Sequence, residues 1–253
     1  MARRIAALYD IHGNLPALEA VLDEVRRAEV DHVVVGGDVL PGPMVRETLA
    51  CLHKLDVPVQ FIQGNGEVAA LAQIVGPEPA WYHAIPADAK AIFRWQVQQI
   101  DPPLQQLLTG WPMTCRAEVG GLGDVLFCHA TPRHENEVFT RLTPDERLLP
   151  VFEGLGVPLV VCGHTHMQFD RTIGMVRVVN AGSVGMPFGA PGAYWLLLGP
   201  DVELRRTSYD LAAAAARIRA TAYPKADEFA ERNVLQPPSE QEILAAFSHA
   251  ELK

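Results

Sequence analysis

The chain has 253 residues, 49% of them hydrophobic, and a formal charge of −9 at pH 7. That length suits a single α/β domain with an inserted lobe, and the acidic balance argues against a general nucleic-acid-binding surface, which is normally basic. No run is long and charge-free enough to span a membrane, the start is strand-like rather than a signal peptide, and the four cysteines show no Cys-x-x-Cys spacing, so buried free thiols in a cytoplasmic protein are expected.

Residues 4–9 read as a buried strand. Residues 15–28 have helical periodicity, with Asn14 placed to cap them and Pro16 tolerated in the first turn. Strands at 32–35 and 57–62 alternate with helices at 45–55 and from about 67 to 74, a pattern that predicts a largely parallel sheet covered by helices. Residues 76–111 are rich in proline and hold Trp81, Trp95 and Trp111; they read as a helical insertion or cap whose rings pack it onto the core, with stacking on a substrate as the lesser alternative. Beyond Met113 the texture turns to β, with a hairpin at 113–128, a helix at 144–153, and strands at 159–162, 168–173, 176–179, 193–198 and 203–209. Helices at 211–220 and 239–250 form a C-terminal tail, from about 210 to 253, that shows no chemistry. The expected architecture is a four-layer α/β/β/α sandwich, two mixed sheets flanked by helices, as one domain over 1–253.

Six short fragments carry the chemistry: Asp10-Ile11-His12-Gly13-Asn14, Gly36-Gly37-Asp38, Gly64-Asn65-Gly66-Glu67, Cys128-His129-Ala130, Gly163-His164-Thr165-His166 and Asn180-Ala181-Gly182-Ser183. The first five follow apolar runs and supply side chains that bind hard or borderline metals. A lone histidine after a strand is ordinarily structural, and a single Gly-Gly-Asp is a common turn. Five such fragments in one order, each at a strand end, instead describe loops turning ligands into one two-metal pocket.

The series resembles the calcineurin-like metallophosphoesterase superfamily, whose motifs run Asp-x-His, Gly-Asp, Gly-Asn-His-Asp/Glu, His and Gly-His-x-His. The stretches at 128–132 and 180–185 are similar to the small prokaryotic branch typified by YfcE-like phosphodiesterases. The resemblance implies that Asp10, His12, Asp38 and His166 hold one divalent ion, while Asp38, Asn65, His129 and His164 hold the other. It implies in-line attack on phosphorus by a metal-bridging hydroxide, with Asp38, His129 and His164 at its centre. Mn, Fe, Zn or Ni are favoured over Mg by so many imidazoles. A small phosphorylated substrate is the expected partner.

The chain departs from that pattern at Gly66, where the superfamily has a catalytic histidine. A positioned general acid is worth roughly 10²–10⁴ in rate, so esters with poor leaving groups should suffer most. A phosphodiesterase fits this loss. A phosphomonoesterase or protein phosphatase with His134 or His83 substituting, and a catalytically weak scaffold of the same fold, are the alternatives. Gly66→His should raise phosphomonoesterase activity without changing metal content. Asn180 either orients a ligand such as His164 or forms a structural turn, Asn180 and Ser183 precede a Gly/Pro-rich loop that by resemblance lies beside the metals, and Arg133 is a candidate phosphate contact or a solvated surface residue.

Overall fold

The computed structural model describes residues 3–252. The first half alternates β1 (Ile5–Leu8), α1 (Leu15–Arg27), β2 (His32–Val35), α2 (Val45–Leu52), β3 (Val59–Phe61) and α3 (Asn65–Val75). The cap follows as a 3-10 turn at Ala80–Ala84, then α4 (Ala87–Val97) and α5 (Pro102–Thr109). The second half contains β4 (Thr114–Val119), β5 (Gly123–Cys128), α6 (Asp145–Phe152), β6 (Leu159–Cys162), β7 (Phe169–Ile173), β8 (Val176–Asn180), β9 (Ala193–Leu198) and β10 (Val202–Thr207). The tail holds α7 (Leu211–Arg219), α8 (Ala226–Phe229), a π-helical turn at Ala230–Leu235, and α9 (Glu240–Phe247).

Two five-stranded mixed sheets result, ordered β10-β9-β1-β2-β3 and β4-β5-β6-β8-β7. Strands β1, β2 and β3 run parallel, as do β5, β6 and β8, while β9, β10, β4 and β7 pair antiparallel at the flanks. The period-two alternation of strand side chains builds the layers. Ile5, Ala7 and Tyr9 point between the sheets, where they meet Val125, Phe127, Leu159 and Val161 of the other sheet. Ala6 and Leu8 point outward onto Leu18, Leu22 and Val21 of α1, and Val160 and Cys162 point outward onto Leu148 and Phe152 of α6. The four-layer sandwich read from the sequence is therefore the observed fold.

Asn14 caps α1 as expected, accepting the Ala17 N–H at 3.3 Å. Two boundaries differ. Strand β3 begins after Pro58, which has no N–H to give a ladder, although its carbonyl accepts from Val33. Helix α3 begins at Asn65 rather than near Glu67, because Glu67 in its first turn accepts the Gly64 N–H at 2.7 Å and closes the helix start. The cap packs through Tyr82, Phe93, Leu104, Leu108 and Trp111 onto the outer side of the first sheet. Trp111 stacks on Phe61 with centroids 4.6 Å apart, and Trp95 meets Tyr223 edge-on at 5.4 Å, so both rings pack as expected. All four cysteines are free.

Candidate metal centre

The loops leaving β1, β2, β3, β5 and β6 all emerge at one end of the two sheets. Asp10 and His12 follow β1, Asp38 follows β2, Asn65 follows β3, His129 follows β5, and His164 and His166 follow β6. They converge. Asp10 Oδ1 lies 4.0 Å from His12 Nε2, 3.7 Å from His129 Nε2 and 3.2 Å from His166 Nε2. The two oxygens of Asp38 face different histidines: Oδ2 is 3.6 Å from His12 Nε2, and Oδ1 is 3.6 Å from His129 Nε2. Asn65 Oδ1 stands 3.0 Å from His129 Nε2, and the His164 ring lies against that of His129 at 5.2 Å between centroids. Two sets, Asp10 with His12 and His166, and Asp10 with Asp38 and His129, each bring their donor atoms within 4.8 Å of one another. Asp10 thus sits as centrally as Asp38.

The histidine tautomers are set from outside the cluster. A carbonyl oxygen only accepts, so Nδ1 donates from His12 to Pro41 O (3.2 Å), from His129 to Gly36 O (2.8 Å) and from His166 to Met186 O (2.6 Å). In each neutral ring the lone pair is then on Nε2 and points inward, the anchoring that metal-binding histidines use. The Asn136 backbone lies close enough to the His164 ring to act on it, opposing the effect of burial. Asp10 Oδ2 accepts the His164 N–H at 2.9 Å, while its Oδ1, like His12 Nε2, is buried with no hydrogen-bond partner. Buried polar atoms are rarely left so. Ligands at about 2.0–2.2 Å from an ion and at right angles stand about 3 Å apart, which is the Asn65–His129 spacing. These residues fit divalent cations.

The electrostatics agree. Burial pushes the Asp38 carboxyl well above the usual range, and the neighbouring Asp10 charge pushes it further. Burial also acts upward on Asp10, but the imidazoles of His166 and His129 outweigh it and hold its pKa below the ordinary value. His12 and His164 are each pushed down to about 3, chiefly by burial, so both are neutral donors near pH 7. Burial lowers His166 as well, yet Asp10 more than restores it. Two facing carboxylates with inward lone pairs want positive charge between them.

The backbone is shaped for this purpose. Asp10, His12, Asp38, His164 and His166 all have left-handed φ, between 47° and 66°. Among the described non-glycine residues only Glu29 and Leu252 share that conformation, and such strain gathers at functional sites. The buried Glu67 carboxylate accepts backbone N–H groups of Asp38 (2.8 Å), Val39 (2.9 Å), Leu40 (3.2 Å) and Gly64 (2.7 Å), tying the Asp38 loop to the Asn65 helix. At Gly66 a Cβ would fall 2.0 Å from the Leu40 carbonyl oxygen. The expected gain from Gly66→His is therefore corrected: backbone fills the space that side chain would need, and the Gly66 N–H is already spent on Asp38 Oδ1 at 2.7 Å.

The other sequence candidates divide. Asn180 does not touch the His164 ring; its amide donates to Gly163 O (2.6 Å) and Thr165 Oγ1 (3.1 Å), bracing the backbone on either side. Ser183 Oγ donates to the Asp10 carbonyl at 2.7 Å and accepts the Met186 N–H at 2.7 Å, fixing two loops rather than meeting substrate. Arg133 is bound by the Glu137 carboxylate at 2.6–3.0 Å and His83 pairs with Glu78 on the surface, so neither enters the centre. His134 is half-exposed, its Nδ1 accepting the Asn136 N–H at 3.0 Å. Three contributors were missed. Glu67 carried a signal in its position three after Gly64, whereas nothing local marks Glu135, whose charge also acts on Asp38, or Phe188, which stacks on His166 at 5.2 Å. Phe247 of α9 packs edge-on against Phe188 at 6.3 Å, so the C-terminal tail, read as inert, supports a histidine of the cluster.

Comparison with known proteins agrees with this geometry. The calcineurin-like phosphoesterase superfamily domain matches residues 4–199. An uncharacterized protein of Methanocaldococcus jannaschii is 27% identical over 234 residues, covering 85% of this chain and 91% of its own. Among solved structures, a hypothetical protein of Pyrococcus horikoshii (TM-score 0.75, 20% identity) covers 93% of this chain and 99% of its own. A metallophosphoesterase of Sphaerobacter thermophilus (TM-score 0.68, 24% identity) covers 92% and 98%; both share the fold. With a domain match over most of its length, and the ordered motifs folded into one buried cluster, the chain belongs to the calcineurin-like phosphoesterase superfamily.

Proposed function

We propose that this chain hydrolyses phosphate esters with two divalent cations held in this centre, and that it prefers diesters and other esters with good leaving groups. Asp10, His12, Asp38 and His166 would hold one cation, and Asp38, Asn65, His129 and His164 would hold the other. When bound, the cations supply Lewis acidity, lowering the pKa of water and offsetting charge on the phosphoryl group. The observation that carries the reading is the set of inward Nε2 atoms, anchored through Nδ1 to backbone carbonyls, around the unpartnered Asp10 Oδ1.

The protein's own residues position and exclude. Glu67 and Ser183 lock the Asp38 and Asp10 loops, so the donors need no rearrangement to receive cations. The imidazole-rich set suits Mn, Fe, Zn or Ni over Mg. The diester preference is supported by Gly66: with Leu40 O in the space a side chain would take, no proton donor stands there for a poor leaving group. An alkoxide must then depart unaided, which costs an alkyl monoester far more than an aryl diester.

Metal-stripped protein titrated with Mn²⁺, assayed on an aryl phosphodiester and the matching monoester, tests this. Metal-dependent turnover favouring the diester is expected, with Asp38→Asn losing at least a hundredfold. Full metal content and near-wild-type rate in Asp38→Asn would overturn the ligand assignment. Two bound cations with no turnover of either ester would favour a binding scaffold.

A further inference from the structure

The cap, the segment after His129 and the C-terminal end line an open groove of about 710 Å³. Trp81, Ile85 and Pro86 form one wall, His134 and Val138 a second, and Ala250 a third. This volume falls in the range of small-molecule sites, roughly 300–1,000 Å³, and far exceeds what a phosphoryl group fills.

The groove joins the centre through residues already placed. Asn136, on the same wall as His134, brings its backbone close enough to the His164 ring to act on it. Glu135 between them accepts the Trp81 indole N–H at 3.1 Å, and lies close enough to Asp38 to act on its charge. Trp81 is therefore fixed to the rim of the centre, unlike Trp95 and Trp111, whose rings pack against Tyr223 and Phe61. The third wall is also anchored. Leu252 N–H donates to Val138 O at 2.8 Å, and the Glu251 carboxylate accepts from Thr143 Oγ1 (2.7 Å) and Arg147 (3.1 Å).

The lining chemistry narrows the occupant. No lysine, arginine, aspartate or glutamate is among the lining residues, whose polar side chains are those of His134, Asn136 and His249, so the lining offers no fixed charge to pair with a charged group. The walls are mostly apolar. With Nδ1 accepting from Asn136, the neutral His134 ring bears its proton on Nε2 and is a hydrogen-bond donor.

We propose that this groove is the subsite for the organic group of the phosphate ester, and that it takes a flat, uncharged aromatic or heteroaromatic ring packed against Trp81. The proposal rests on the ester-hydrolase reading above and names the substrate class of that site. Ring-on-tryptophan packing commonly changes affinity tenfold or more.

Calorimetry of the full, Mn²⁺-loaded chain with phenylphosphonate and methylphosphonate separates the two ideas, because both probes carry the same head group. Phenylphosphonate should bind at least tenfold tighter. Trp81→Ala should bring it down to the methyl level while methylphosphonate is unchanged. Val138→Arg, which intrudes from the opposite wall, should do the same and guards against a collapsed cap in the first variant. Methyl resonances of Ile85 should shift with the phenyl probe only. Equal affinities for the two probes, or a phenyl preference that survives both variants, would overturn the groove proposal and leave the metal centre standing. Failure of both probes to bind the metal-loaded protein would overturn the metal-centre reading, and the groove proposal with it.

Discussion

Gly66 shows how one residue can be read correctly as missing a function and wrongly as replaceable. Its identity gave away the lost imidazole, but the reason lies 26 positions earlier, in a Leu40 carbonyl that a Cβ would meet at 2.0 Å. Gly66→His should destabilise the protein by about 1–3 kcal/mol, the usual cost of overpacking, and should gain nothing on alkyl monoesters. Thermal melts and an alkyl phosphate assay would check both, and a stable, more active variant would refute the steric account. The ligands themselves were legible because each is announced locally, by an apolar strand and a turn. The roles of Asn180 and Ser183 were not. Both were placed near the centre correctly, yet which backbone they brace depends on contacts spanning 15 to 173 residues.

At the scale of elements, the strands and most helices followed from periodicity, since each reports its own buried face. Their order within the sheets did not. Strand β9 lies beside β1, Ile5 pairing with Leu198, although most of the chain separates them, and no local pattern records that pairing. The loop between β8 and β9 illustrates the consequence. Its Gly/Pro-rich sequence suggested only a turn near the ligands, but folded it delivers the Met186 carbonyl and the Phe188 ring to opposite needs of His166. Phe188→Ala should leave the Nδ1 bond in place yet loosen the ring, weakening Mn²⁺ binding by about tenfold, the low end for residues that orient a ligand. Titration calorimetry would show it, and unchanged affinity would mean that the Met186 bond alone suffices.

For the whole molecule, the buried charges make stability a function of pH in a direction that depends on metal. His12 and His164, pushed down to about 3, favour folding as pH rises only as far as the ordinary histidine value of about 6.5. Above it the opposite group governs. Glu67 is pushed up to about 7 by burial and the Asp38 charge, Asp38 lies well above its usual range, and His166 is raised. Each contributes stability present at low pH and lost as pH climbs through its folded value. Metal-stripped protein should therefore lose Tm as pH rises above about 6.5 and through the Glu67 value of about 7, and saturating Mn²⁺ should flatten that slope. A stripped protein whose Tm rises over the same interval would contradict the charge distribution described above.

The left-handed backbone shared by five of the ligand residues has a consequence for how such a site can be probed and how it could decay. An alanine placed at Asp10, His12, Asp38, His164 or His166 removes the donor and also sits badly in that conformation, so its melting temperature mixes two unrelated quantities. A glycine removes the donor and relaxes the chain at once. The mutational route by which this protein would most easily abandon metal is thus one that makes its apo form sturdier, and a lineage under selection for folding alone would drift toward glycine at these five positions.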